Sequence, residues 1–283
     1  MPWPRLAAEA HTSRVLTPSA DAFTALARSS PWRWSTLRFT VSWSGGPTGH
    51  RAGAVRAFLR RPELLRVEAL DGTLIQVVRK AGPAVSVLGP GGGSPVQPTS
   101  AGAPEPVLRP DGLVDRRPDD SWTSFDAPMF QNYHWVAMLD PVELADGIDW
   151  DTDAVVPALV VGDVREVQHD NRPAWEAVVR TTPAYEPRCG CCPLLRSREV
   201  DLLEYRDYPD RLLAAYPEAH RVRLDVGTGV CVYSEEIGGL APGQRHEVRI
   251  EAVDEPMADA LFVEPPREPV RRQWGWSAFP GRQ

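Results

Sequence analysis

From Trp34 onward apolar and polar residues alternate, with Leu37, Phe39, Val41 and Trp43 set between Arg38, Thr40 and Ser42. A period of two sends successive side chains to opposite faces, so this stretch predicts a strand with one buried and one wet face. The alternation returns at Val55, Ala57 and Leu59, at Leu65, Val67 and Ala69, and at Ile75 and Val77. Asp71-Gly72 predicts a two-residue hairpin turn before the last of these, and the first half reads as an antiparallel meander. Ala84 to Leu88 predicts one more short strand. Farther on, Val164 to His169 and Trp175, Ala177 and Val179 flank the polar turn Asp170-Asn171-Arg172, a second hairpin. Val222, Leu224 and Val226, the turn Gly227-Thr228-Gly229, Val230 and Val232, then Val248, Ile250 and Ala252 predict a closing three-stranded meander.

Two segments change period. Thr17-Pro18 reads as an N-cap followed by proline at the first helical position, and Phe23, Leu26 and Ala27 form a short apolar face that Pro31 ends. Asn132 to Leu139 reads as a helix because Trp135, Val136 and Leu139 share a face before Pro141 stops the run. No fixed repeat is evident, and the two strand-rich halves are expected to share one sheet within a single domain over residues 13–263. The Pro, Gly and Ser content of residues 89–106 predicts a mobile surface loop. Residues 264–283 form a Pro/Arg-rich tail that carries Trp274, Trp276 and Phe279.

Composition narrows the function classes. Of 283 residues, 42% are hydrophobic and 24% charged, enough for a buried core. A net charge of -7 argues against a phosphate-binding surface, so nucleic acid is not an expected partner. The stretch MPWPRLAAEAHTSRVL has no signal-peptide core, and no run approaches the roughly 18 apolar residues of a membrane span; a cytoplasmic location is the expectation. Between Pro118 and Val164 there is no Lys or Arg while acidic residues abound.

The phrases PELLRVEALDGTLIQVV, GDVREVQHDNRPAWEAVV, HRVRLDVGTGVCVYSEEIGG and HEVRIEAVDEPMADALF resemble the LolA-like superfamily, and its actinobacterial members most. The resemblance spans roughly residues 20–263. It implies an α+β fold in which a curved antiparallel half-barrel sheet wraps over a few helices, with a concave side that accepts acyl chains. On that expectation the protein is a non-enzymatic binding module for an apolar small molecule or lipid. The aromatic segment supplies a candidate lining in Trp122, Phe125, Met129, Phe130, Tyr133, Trp135 and Met138, residues that core packing also explains.

One local cluster carries chemistry of its own. Cys189-Gly190-Cys191-Cys192-Pro193 places three thiols within four positions, and Cys231 on a predicted strand is a fourth that folding can bring to them. Four thiolates suit tetrahedral zinc, but the two separated Cys-x-x-Cys knuckles of a typical zinc site are absent. A metal site, a redox-responsive thiol pair and a structural turn all remain open, and the nearby Arg180, Arg188, Arg196 and Arg198 would lower the thiol pKa values if close in space. The alternative function is therefore an intracellular protein-interaction or metal- and redox-sensing module built on Cys189 to Cys192. Asp149 to Asp153 begins like a calcium loop, but Ala154 and Val160 stand where glycine and glutamate are required. No histidine falls in a metalloprotease spacing or beside a nucleophile motif, and no catalytic residues are expected.

Overall fold

A computed structural model describes residues 16–44, 53–79, 105–118 and 126–264. In chain order the elements are helix α1 (Ala20–Arg33), strands β1 (Thr36–Ser44), β2 (Val55–Arg60), β3 (Leu64–Ala69), β4 (Leu74–Arg79), β5 (Val107–Leu108) and β6 (Val114–Arg116), and helix α2 (Tyr133–Leu139). Strands β7 (Asp146–Asp149), β8 (Ala154–Pro157), β9 (Leu159–Val161), β10 (Arg165–His169) and β11 (Arg172–Thr181) follow, then helix α3 (Arg198–Glu204) and strands β12 (Ala219–Asp225), β13 (Cys231–Ile237) and β14 (Arg245–Val253).

Ten strands form one antiparallel sheet in the order β10-β11-β12-β13-β14-β1-β2-β3-β4, with β9 beside β10 on the same edge of β11. The join between the two halves is the β1–β14 ladder, which runs from Leu37↔Val253 to Ser44↔Arg245. The path is open, so the fold is α+β with a sheet that curves over helices and does not close. His169 in β10 measures the curvature. In a flat sheet β10 and β14 would lie about 19 Å apart at the usual strand spacing. Yet His169 Nε2 lies 2.9 Å from the Val248 carbonyl of β14, a group left available because the β13–β14 ladder stops at Tyr233↔Glu247.

The concave face holds the core. Leu37, Phe39 and Val41 of β1, Leu59 of β2, Leu65 and Val67 of β3, and Val222 and Leu224 of β12 are fully buried there, as the alternation predicts. In β4 the register differs from expectation: Val78 opposite Leu65 packs on the core, whereas Ile75 faces solvent. A bulge between Val67 and Glu68 supplies the odd residue, and a one-residue slip exchanges the faces of a strand. Asp170 and Asn171, both at positive φ, make the two-residue β10–β11 turn. The hairpins β5–β6 and β7–β8 were not expected, although Asp111-Gly112 is a turn signal for the first.

Helix α1 begins one turn's fraction later than expected, because Ser19 and not Thr17 caps it, its hydroxyl accepting from Ala22 N at 3.1 Å. Pro31 does not end it. Proline removes only one hydrogen bond this close to the end, and Ser30 Oγ, donating to Leu139 O at 2.6 Å, ties the last turn to α2. Helix α2 ends before Pro141 as predicted, and Asn132, expected inside the helix, caps it, its side chain accepting from His134 N. Trp135 of α2 meets Phe39 at 5.3 Å, Trp43 at 6.4 Å and Phe130 at 5.3 Å between ring centroids. Such pairs contribute about 0.5–1.5 kcal/mol each beyond burial.

The acidic stretch is divided, with Asp151, Asp153 and Asp163 exposed and its central carboxylates internal. Asp126, Asp140, Glu143 and Asp146 are buried, and their cations come from outside the stretch: Arg28 for Asp146, Arg117 and Arg188 for Asp140, and Arg188 also for Asp126 and Glu143. Burial pushes the Asp140 carboxyl up, but Arg117 and Arg188 outweigh it and hold the group below the usual carboxylate range. Among the described residues no helix is long and apolar enough to cross a membrane. The predicted strand at Ala84 to Leu88, residues 89–104 of the predicted loop, and the tail aromatics lie outside the described residues.

Candidate metal centre

The loop from Arg188 to Leu195 is held at both ends by one buried carboxylate. Glu143 Oε1 accepts from Tyr185 Oη at 2.7 Å and from Leu194 N at 3.0 Å, while Oε2 accepts from Arg188 N at 3.3 Å. Tyr185 Oη in turn accepts from Leu195 N at 3.0 Å. The Arg188 side chain turns inward, donating to Asp126 at 2.9 Å, to the Asp140 carboxylate at 2.6 Å and to the Asp140 carbonyl at 2.7 Å. Inside this frame the chain projects its thiols. Gly190 packs closely on α3: an added Cβ would stand 2.9 Å from Cβ and 2.5 Å from Oε2 of Glu204, so a larger residue would push the loop or that side chain aside.

Cys189, Cys191 and Cys192 converge, their sulfur atoms all within 4.8 Å of one another. Cys189 Sγ lies 2.8 Å from Cys191 Sγ, and Cys191 Sγ lies 3.9 Å from Cys192 Sγ. Two thiolates at about 2.3 Å from a tetrahedral metal stand about 3.8 Å apart, and a disulfide spans about 2.05 Å. The second distance suits a shared metal ligand set; the first lies between the two chemistries. Cys231 does not join them. It is fully buried on β13 and its thiol donates to Tyr233 O at 3.5 Å; a bulge in the β12–β13 ladder between Arg223 and Leu224 sets it opposite the buried Leu224, on the core side.

The electrostatics differ from the sequence expectation of activated thiols. Arg188 is committed to buried carboxylates and Arg196 to both oxygens of Asp201, at 3.0 and 2.9 Å. The hydrogen bond with Cys189 and then burial raise the Cys191 thiol. Burial, with Cys189 adding to it, pushes Cys192 up to about 12, and burial raises Cys231 as well. Crowded thiols without a neighbouring cation resist ionisation.

Beneath the loop lies a polar cavity of about 50 Å³ between Cys191 and Cys192 on one side and β12, β13 and β14 on the other. His134 and His246 approach it already engaged. Nδ1 of His134 lies 3.0 Å from Pro193 O, Nε2 of His246 lies 3.0 Å from Cys231 O, and the inner nitrogens face each other at 3.1 Å. Ser234 Oγ lies 2.9 Å from Nδ1 of His246. His220 differs: it is 4% exposed and neither ring nitrogen has a hydrogen-bond partner among the described residues. Burial lowers its pKa to about 4. Glu236, directly across the β12–β13 ladder from His220, is raised to about 6 by burial, with Arg196 opposing and Asp201 adding.

The aromatic lining divides. Phe130, Trp135 and Met138 are buried in the core, Met129 and Tyr133 are 39% and 43% exposed, and Trp122 and Phe125 lie outside the described residues. No protein-family model matches the chain, and no curated protein matches it either.

Proposed function

We propose that the protein is a non-enzymatic metal-binding module in which Cys189, Cys191 and Cys192 ligate a soft d10 ion of the zinc or copper(I) class. The observation that carries this is the convergence of three thiols in a loop whose ends one carboxylate holds. Soft thiolates select such ions, and a bound cation supplies the positive charge that Arg188 and Arg196, already paired with carboxylates, do not. Three protein ligands leave a fourth position for water or a partner's ligand.

The 2.8 Å approach of Cys189 to Cys191 favours a second reading at the same residues, a redox-responsive pair that closes to a disulfide when an oxidant takes two electrons and two protons are released. The LolA-like resemblance is compatible with an open sheet over helices, and its acyl-chain role would draw on the aromatic set. Phe130, Trp135 and Met138 serve packing, so the thiol reading has the stronger geometric support.

Metal analysis of the purified full chain, beside thiol titration of the parent and Cys191→Ser, tests the proposal. One equivalent of zinc or copper in the parent, lost in the variant, is expected. Equal metal content in both with unchanged thiol reactivity would sink it. Two thiols missing from the titration of a metal-free parent, restored by reductant, would establish the disulfide reading instead.

A further inference from the structure

We propose that the cavity behind the thiol loop is a second metal position, in which His220 and Glu236 ligate a borderline divalent transition ion of the zinc and cobalt class. It is distinct from the thiol set and rests on different observations. A buried imidazole ordinarily satisfies both nitrogens, as His134, His246 and His169 show in this same protein through carbonyl, hydroxyl, ring and guanidinium partners. His220 has no partner on either nitrogen and lines the cavity.

Its cross-strand neighbour is the other half of the site. Directly opposed residues of an antiparallel pair hold their Cβ atoms about 4.5–5.5 Å apart, which lets one imidazole nitrogen and one carboxylate oxygen reach a common ion. Neutral imidazole with carboxylate is a ligand pair of borderline transition ions, softer than calcium or magnesium prefer. Of the two arginines that line the cavity, Arg196 is neutralised by Asp201 and Arg245 is exposed to solvent. At 50 Å³ the cavity excludes an organic ligand of any size but admits an ion with about three waters, each needing roughly 10–15 Å³. Two protein ligands completed by water make an exchangeable site.

Titrating Co²⁺ into the full, untagged chain carrying Cys189→Ser, Cys191→Ser and Cys192→Ser separates the two sites, since no thiol ligand of the loop remains. One Co²⁺ per chain is expected, with paramagnetic shifts on the His220 ring protons larger than on those of His134 or His246. Adding His220→Leu or Glu236→Gln to this background should weaken binding at least tenfold. A thermal melt verifies that His220→Leu is folded; Glu236→Gln makes the same comparison at a less buried position. Absence of Co²⁺ uptake at millimolar concentration, or uptake unchanged by both substitutions, overturns the inference. Loss of metal from the thiols of the parent with retained Co²⁺ binding in the triple-serine chain would instead remove only the thiol proposal.

Discussion

Replacing Glu143 with alanine removes the acceptor that holds both ends of the cysteine loop, and the structure sets the size of the effect. Three donors lose their partner: Tyr185 Oη, Leu194 N and Arg188 N. A buried donor stripped of its acceptor costs about 1–3 kcal/mol, and breaking a buried ion pair about 3–5 kcal/mol. Arg188 keeps Asp126 and Asp140, and the loop relaxes partly toward water, so a net loss of about 4 kcal/mol is expected from these contributions. Glu143→Gln keeps an oxygen for Tyr185 and Leu194 but sets an amide N–H₂ against Arg188 N, which should cost only about 1–2 kcal/mol. Urea unfolding at constant slope gives both values. Labelling of Cys192 by an aromatic disulfide reagent reports the loop, and should quicken at least tenfold in the alanine variant. A loss under about 1 kcal/mol for alanine, or glutamine costing more than alanine, would refute the role assigned to this carboxylate.

Other substitutions probe the rest. His220→Leu should stabilise the metal-free chain by about 1–2 kcal/mol, because two unpartnered buried nitrogens disappear. The gain should grow by about 3 kcal/mol from pH 7 to pH 4: with its folded pKa near 4 against an unfolded 6.5, His220 makes the parent lose stability as pH falls through that window. Paired denaturation curves at the two pH values measure both. Gly147→Ala should cost about 2–3 kcal/mol, since the new Cβ would sit 2.2 Å from Ala184 O, a backbone atom; a midpoint within 1 °C of the parent would contradict it. Gly190→Ala, which meets the Glu204 side chain, should leave global stability within about 1 kcal/mol of the parent yet lower metal stoichiometry.

The sheet was legible because alternation is a property of the chain itself: β1, β2, β3, β12 and β14 bury the residues their period selects. Register at β4 was not, since a bulge at Val67 is decided by the neighbouring strand. The thiols were legible by their crowding, but the burial of Cys231 away from them was not, since the bulge that turns it into the core belongs to the pairing of β13 with β12. That Asp140 and Asp146 in the acidic stretch would be internal was not legible, since their burial depends on Arg28, Arg117 and Arg188, which are remote from them in sequence. The cavity did have a signal. His220 is in phase with Val222 and Leu224, and His246 with Val248 and Ile250, so each is a polar residue at a core position of its strand. Such residues mark where a sheet does something besides packing.

X-ray absorption at the metal edge of the loaded full chain tests the central claim most directly. Three sulfur neighbours at about 2.3 Å around the thiol-bound ion are predicted, with that sulfur shell lost together with the metal in Cys191→Ser. A first shell of nitrogen and oxygen alone, or a sulfur shell indifferent to that substitution, would contradict it.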